Sequence, residues 1–272
     1  MTLETLGWAL RACAAYRHIV EEPLMGRVLA LVDRLAAGDG AGAAEHYAGL
    51  FYALRAEGAR SLGEWLDGRL RDRESPYAAL VERGGTDPAL EEAARRDIET
   101  FAAPAGGRAL PLGLEPLADA LPRWEGSVPF DFPGLTEFYR ANGAGLFARH
   151  RAFLWEDGEL YPVDSPDCPA ADEMFGYELQ RDQVIANTRA MLEGKLVNNV
   201  LLYGDPGTGK SATVKNLLTL PGFEALRLIE VQKEGLADMP RLIRTLAGRR
   251  PKFILFIDDL AFDQDDKTYS AM

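Results

Sequence analysis

The glycine-rich segment at residues 204–211 constrains the fold of this chain more than any other feature. It fits the pattern GxxxxGK[ST], with Lys210 and Ser211 in the last two positions. An apolar run at residues 197–203 precedes it, and a helical pattern over residues 210–218 follows it. We therefore predict a strand, a tight glycine-rich turn and a helix in that order, which is the context that this motif requires.

A loop of this kind binds phosphate groups through its backbone. Glycines let successive N–H groups turn toward an anion, and the start of the following helix adds its positive dipole end. Lys210 is expected to reach the β- and γ-phosphates, and Ser211 to give its hydroxyl to Mg²⁺. The sequence thus predicts a site for a magnesium-bound nucleoside triphosphate; the structural alternative is a glycine-rich turn without a ligand. The predicted site comprises Gly204, Asp205, Pro206, Gly207, Thr208, Gly209, Lys210, Ser211 and Ala212.

The residues around the motif alternate between helical and strand-like patterns. We predict a helix over residues 179–193, strands over 226–231 and 253–257, and a helix between these strands at about 239–246. Strands that alternate with helices are typical of a parallel sheet built from crossover units. The fold class predicted for this half is α/β, with a parallel sheet that carries the glycine-rich loop.

Two carboxylates follow the second predicted strand. Asp258 and Asp259 come directly after the apolar residues 253–257. Like charges side by side are costly unless a cation or a role compensates them. Asp258 is the expected magnesium partner, and Asp259 is placed to polarise an attacking water. Alternatively, Asp259 only caps the following turn.

The first hundred residues carry apolar stripes at helical spacing, such as Leu24, Val28 and Leu31. Ser61 and Glu64 have the spacing of a capping box. We predict a helical domain over residues 1–103, a proline-rich connector over 104–134, a helix with a β-hairpin over 135–171, and a nucleotide-binding part over 172–272. The helix of the third segment is expected at 135–147, and the hairpin strands at 152–155 and 159–163.

Composition excludes several classes of protein. The formal charge of −12 argues against a general positive field for nucleic acid. No apolar stretch approaches the roughly 20 residues that span a bilayer, and the N-terminus lacks the pattern of a secretory signal. We expect a cytoplasmic protein. Cys13 and Cys168 stand far apart without a Cys/His cluster, so neither a disulfide framework nor a zinc site is indicated.

Three segments resemble an AAA-type ATPase: the loop with its Pro-Gly-Thr-Gly centre, the Asp258-Asp259 strand end, and the upstream residues 175–178. More narrowly, residues 198–204 and 228–231 are similar to a bacterial family of predicted P-loop ATPases of unassigned function. The resemblance implies that 172–272 is the first half of an AAA-type nucleotide-binding domain, that is, an incomplete αβα arrangement on a parallel P-loop sheet. It also implies rings, and ATP turnover that remodels or recruits a partner macromolecule. Phe175, Gly176 and Tyr177 would pack against adenine, and the alternative is that they only form the turn into the following helix. The preference for ATP over GTP rests on this match.

The chain departs from the AAA pattern in two ways. Asp259 stands where glutamate is usual, and it is shorter by one methylene, so water would be held less well. The sequence stops at Met272, so sensor 1, the arginine finger and sensor 2 have no counterpart in it. Because an arginine finger contributes about 10³ to 10⁵ in rate, we expect nucleotide binding with little turnover. A robust ATPase rate that depends on Lys210 would contradict this.

Competing functions remain open on sequence grounds. The leading hypothesis is an ATP-driven remodelling ATPase. The alternative is a nucleotide-dependent binding module or switch, for which hydrolysis is incidental. A small-molecule kinase ranks lower, because the region after the motif helix shows no acceptor site or lid arginines. A GTPase ranks lowest, because no guanine-reading motif is present.

Overall fold

The computed structural model describes residues 1–105, 121–123, 131–166 and 176–258. The chain divides into two compact units, Met1–Gly145 and Leu146–Met272. Helices form the first unit, and helices with a four-stranded mixed sheet form the second. None of the helices in the described ranges combines the length and the apolar character needed to cross a bilayer.

The first unit is made of helices that each bury an apolar face. Leu10, Met25, Leu50 and Phe101 are fully enclosed in its core. The amphipathic helices predicted for the first hundred residues are present. They and the helix after the connector are α1 (Leu3–Ala12), α2 (Arg17–Val20), α3 (Pro23–Ala36), α4 (Gly40–Ala56), α5 (Leu62–Asp72), α6 (Pro76–Glu82), α7 (Pro88–Ala105) and α8 (Phe132–Asn142).

Side-chain caps fix the starts of several of these helices. The hydroxyls of Ser61 and Ser75 accept the backbone N–H three residues further on, at 3.1 and 3.0 Å. Such a cap satisfies one of the N–H groups that a helix start leaves unpaired. The Glu64 carboxylate accepts the N–H of Arg60, one residue before the cap, at 2.8 Å. The capping-box spacing therefore marks a real helix start.

Two helix boundaries differ from the predicted ones. Helix α7 continues to Ala105, so Pro104 lies inside its last turn and not at the start of the connector. The helix predicted over residues 135–147 ends at Asn142, and a short helix follows further on. Gly143 and Gly145 separate the two helices with φ of 77° and 68°, a region that favours glycine. Residues 106–120 and 124–130 of the connector lie outside the described part.

The second unit holds all four strands of the described chain. Its elements are α9 (Leu146–Arg149), β1 (Ala152–Glu156), β2 (Glu159–Val163), α10 (Glu178–Leu192), α11 (Lys210–Asn216), β3 (Leu226–Val231), α12 (Met239–Leu246) and β4 (Lys252–Phe256). A 3-10 turn extends α11 over Leu217–Thr219, and another precedes α12 over Lys233–Asp238.

The strands form one sheet in the order β2-β1-β3-β4. Strand β1 pairs with β3 and β3 with β4 in parallel, and Leu228 lies opposite both Ala152 and Ile254. Strand β2 pairs antiparallel with β1 across the predicted hairpin turn. The sheet is therefore mixed. The prediction of a parallel sheet is corrected by β2, because the hairpin adds to the same sheet that carries β3 and β4.

The two faces of β3 pack against different helices. Leu226 and Leu228 lie in a core cluster with residues of α10 and α11, whereas Ile229 and Val231 lie in a cluster with residues of α9 and α12. This alternation follows from the period of two in a strand. The sheet is covered on both faces, as expected for an αβα arrangement.

The apolar run at residues 197–203 forms no strand, which corrects the prediction for this segment. Leu201 is 81% and Tyr203 is 89% exposed. A strand is stabilised by pairing with a neighbour, and within the described residues no strand pairs with this run. The Asn187 side chain of α10 donates a hydrogen bond to the carbonyl of Asn198 in this run, at 3.0 Å. An apolar pattern alone therefore did not suffice for a strand.

Candidate functional site

The glycine-rich loop joins the extended run to α11. Gly204, Gly207 and Gly209 have φ of 144°, 78° and 81°. Side chains with a Cβ rarely adopt these values, so this path of the backbone requires the glycines of the motif. Gly209 is also the N-cap of α11, which begins at Lys210. The motif thus sets a sharp turn directly before Lys210 and Ser211.

The ammonium group of Lys210 lies over this loop. Its Nζ donates to the carbonyl oxygens of Gly204 at 3.0 Å and of Asp205 at 2.9 Å. The Thr208 hydroxyl donates to the same Asp205 carbonyl at 2.9 Å. These bonds place a positive charge at the mouth of the loop, in a chain whose formal charge is −12. The arrangement suits an anionic ligand.

The Ser211 hydroxyl meets the carboxylate that follows β4. Ser211 Oγ donates to Asp258 Oδ1 at 2.9 Å, although the two residues are 47 positions apart. Helix α11 supplies the serine from its first turn, and β4 supplies the aspartate two residues after its end. Two oxygen side chains from separate predicted motifs therefore adjoin each other beside Lys210.

This pair has the chemistry of a partial magnesium site. Mg²⁺ prefers oxygen ligands, and proteins usually bind it through one or two carboxylates together with substrate phosphates. In the described ranges, no three His, Cys, Asp or Glu side chains form a cage for a metal ion. Ser211 and Asp258 fit a magnesium ion that a phosphate ligand also holds.

A cavity of about 220 Å³ opens beside the loop. Thr208 and Lys210 line it, as do Tyr177, Arg181 and Tyr203. Tyr177 is 54% exposed and has a left-handed backbone with φ of 58°. An exposed tyrosine next to polar loop groups offers a flat apolar face to a planar ligand.

Most of the predicted site residues come together in the structure. Gly204, Asp205, Thr208, Lys210 and Tyr177 line the cavity, and Ser211 contacts Asp258. Gly176, with φ of 77°, directly precedes Tyr177. Phe175 and Asp259 lie outside the described residues. The remaining predicted residues complete the loop and the first turn of α11: Pro206, Gly207, Gly209 and Ala212.

Sequence reasoning missed several groups at this site. Gln180 and Arg181 of α10 line the cavity, and their place there follows from the packing of α10. Tyr203 could have been noticed as an aromatic residue directly before the loop. Lys215 and Glu230 form an ion pair of 3.1 Å between α11 and β3. That pair carried no sequence signal, because it depends on which strand lies under the helix.

Comparisons with known proteins give a match to a protein family. No curated protein and no solved structure matches the chain. Residues 148–272 match the model of a family described as "Protein of unknown function (DUF815)", so the α/β unit is similar to that family.

Proposed function

We propose that this chain binds Mg·ATP at the glycine-rich loop, as the nucleotide-binding part of an AAA-type ATPase. The observation that carries the proposal is the 2.9 Å contact of Ser211 Oγ with Asp258 Oδ1. It brings the serine of the glycine-rich motif and the carboxylate that follows β4 into one place next to Lys210. A structural turn without a ligand gives no reason for these groups to converge.

Lys210 is the group that would bind the phosphates most strongly. Its ammonium already lies over the loop, held by the carbonyls of Gly204 and Asp205. A phosphate group offers a charged acceptor in place of these neutral ones, and hydrogen bonds between charged groups are roughly twice as strong as neutral ones. Lys210 would therefore move its donors to the ligand at little cost in rearrangement.

Ser211 and Asp258 would hold the magnesium ion. A bound Mg²⁺ neutralises phosphate charge and orients the phosphate oxygens. The Ser211 hydroxyl would give up its bond to Asp258 Oδ1 and turn an oxygen lone pair to the cation. Asp258 would keep its carboxylate close by, as a direct ligand or through the water shell.

The base would lie against the exposed tyrosines of the cavity. Tyr177 and Tyr203 line the space next to the loop. Aromatic side chains stack on nucleobases with a contribution of about 1–3 kcal/mol per base. The preference for adenine, the assembly into rings and the remodelling or recruitment of a partner macromolecule are inferred from the AAA resemblance.

Calorimetric titration of the full chain with Mg·ATP tests the proposal. We expect Lys210→Ala to weaken binding about 100-fold, because each hydrogen bond to a charged group contributes roughly 1.5–3 kcal/mol. Lys195→Ala is the matched control, since Lys195 is an exposed lysine of the same unit that pairs with Glu193. It should bind like the unaltered chain.

Two results would contradict the proposal. One is equal ATP affinity in the Lys210→Ala variant and the unaltered chain, and the other is no binding by the unaltered chain. A steady-state hydrolysis assay on the same samples separates the two forms of the hypothesis. Turnover that depends on Lys210 and Asp258 supports an ATPase and overturns the expectation of little turnover by this chain, whereas tight binding without turnover agrees with that expectation and with a nucleotide-dependent binding module.

A further inference from the structure

An ion pair lies one helical turn behind the Ser211–Asp258 contact. Lys215 Nζ of α11 is 3.1 Å from Glu230 Oε2 of β3, and the two side chains are only 23% and 35% exposed. Lys215 follows Ser211 by four residues, so both lie on one side of α11, about 6 Å apart along its axis. The helix therefore meets the sheet through two polar contacts in succession.

The register of the sheet explains why these contacts adjoin. Glu230 lies opposite Phe256 in the parallel ladder of β3 and β4. Asp258 follows Phe256 by two residues, which returns the chain to the same face of the sheet. Glu230 and Asp258 are thus diagonal neighbours on the face that α11 covers. The Glu230 carboxylate contacts Lys215 of α11, and the Asp258 carboxylate contacts Ser211 of the same helix.

The charges at this point have to suit a divalent cation. A lysine ammonium one turn from the metal ligands would repel Mg²⁺ and, if it were released from Glu230, would compete with the cation for the Asp258 carboxylate. The pair is partly shielded from water, so bulk solvent screens this repulsion less than it would at an open surface. Glu230 cancels the Lys215 charge at a distance of 3.1 Å.

We propose that Glu230 is a positioning residue for the magnesium site, which keeps the Lys215 ammonium away from Asp258 and from the cation. This inference rests on the proposed function, since it assumes that Mg·ATP binds at the loop. Its alternative is a purely structural role, in which the ion pair only clamps α11 to β3. The two roles differ in the sign of the effect expected from removing each partner.

The experiment measures ATP affinity of the full chain with Mg²⁺ and in EDTA, and takes the ratio as the magnesium enhancement. We expect Glu230→Gln to lower this enhancement about 20-fold, as the loss of one negative charge roughly 9 Å from a divalent cation implies at an effective dielectric constant of about 40. Lys215→Met should not lower it. The double variant, which is neutral at both positions, should return to within about twofold of the unaltered chain by the same charge balance.

A second ion pair of the same unit supplies the control. Glu193 pairs with Lys195 at 2.6 Å outside the cavity. Glu193→Gln should leave the magnesium enhancement unchanged. Affinity in EDTA reports whether each variant retains an intact phosphate loop, and Glu230→Gln should match or exceed the unaltered chain there.

Three outcomes would overturn the inference. The first is an unchanged enhancement in Glu230→Gln, and the second is an equal fall in both single variants and the double variant, which indicates a clamp. In either case the unaltered chain still binds ATP through Lys210, so the proposed function stands. The third is no ATP binding by the unaltered chain, which overturns the proposed function together with this inference.

Discussion

In the helical unit, the most deeply buried polar side chains form hydrogen bonds with the backbone of that same unit. At the loop of the α/β unit, by contrast, the polar groups surround an open cavity. Asp97 is 5% exposed and its carboxylate accepts the N–H groups of Ala14 and Tyr16, each at 3.0 Å. Burial raises the pKa of Asp97, and these N–H donors act against that shift. At the loop, Lys210 and Tyr203 instead face the cavity.

This difference separates polar groups that stabilise the fold from polar groups that are available to a ligand. A buried group with its own partners gains nothing from an added molecule, and removal of one partner leaves the other unsatisfied. A polar group on a cavity can exchange a weak internal partner for a strong external one. We therefore expect substitutions in the helical unit to change stability, and substitutions at the cavity to change affinity.

The largest effect on stability is expected for Asp97→Ala. It leaves the N–H groups of Ala14 and Tyr16 without their acceptor, which we expect to lower the free energy of unfolding by about 3 kcal/mol. Urea unfolding followed by far-UV circular dichroism measures this. Asp33→Ala is the control, because Asp33 pairs with Arg11 at an exposed position and should contribute under about 1 kcal/mol.

The Asp97→Ala variant should lose stability but keep its affinity for ATP. Asp97→Ala should bind Mg·ATP within about twofold of the unaltered chain at a temperature where it is folded, because Asp97 bonds to Ala14 and Tyr16 of the helical unit and does not line the cavity. A large loss of affinity without a loss of stability would break the comparison between the units.

Much of the secondary structure could be predicted from the sequence. The strand at Leu226–Val231 has the predicted bounds, and the hairpin strands and the helices around the loop differ from prediction by two residues or fewer. These segments have strong local signals: a run of β-branched and aliphatic residues, a turn at Asp157 and Gly158, and a glycine before the helix. Local patterns carry information about the segment that contains them.

Pairing between distant segments could not be predicted in the same way. Nothing in residues 152–155 indicates that they pair with residues 228–231, and this pairing places the hairpin in the main sheet. The strand predicted at residues 197–203 was wrong for the converse reason. Its apolar pattern is typical of a strand, but no strand of the described part pairs with it. The Lys215–Glu230 pair could not be predicted either, because it depends on how α11 packs on the sheet.

The next prediction concerns ATP affinity and tests the comparison of the two units at the cavity. Tyr203→Ala removes an aromatic face that lines the cavity, and we expect ATP affinity to fall about tenfold, within the 1–3 kcal/mol that stacking on a base contributes. Tyr52→Ala is a matched control, because Tyr52 is 74% exposed and lies on α4 of the helical unit. Neither change should alter stability by more than about 0.5 kcal/mol, as is usual at exposed positions. Equal affinities in the two variants would show that Tyr203 does not contact the base.

The smallest effect is expected for Tyr139→Phe in the core of the helical unit. The Tyr139 hydroxyl donates to the carbonyl of Leu70 at 2.6 Å, and Leu70 lies in the last turn of α5, where helix carbonyls lack internal donors. Burial raises the pKa of Tyr139, so its hydroxyl remains a donor. Removing the hydroxyl should lower the free energy of unfolding by about 1 kcal/mol, the net value of one hydrogen bond.

Tyr52→Phe, at an exposed hydroxyl of the same unit, is the control and should change stability by less than half of that in the same urea titration. If Tyr139→Phe instead weakened ATP binding at unchanged stability, the buried tyrosine would belong with the groups that serve a ligand, and the division between the two units would not hold.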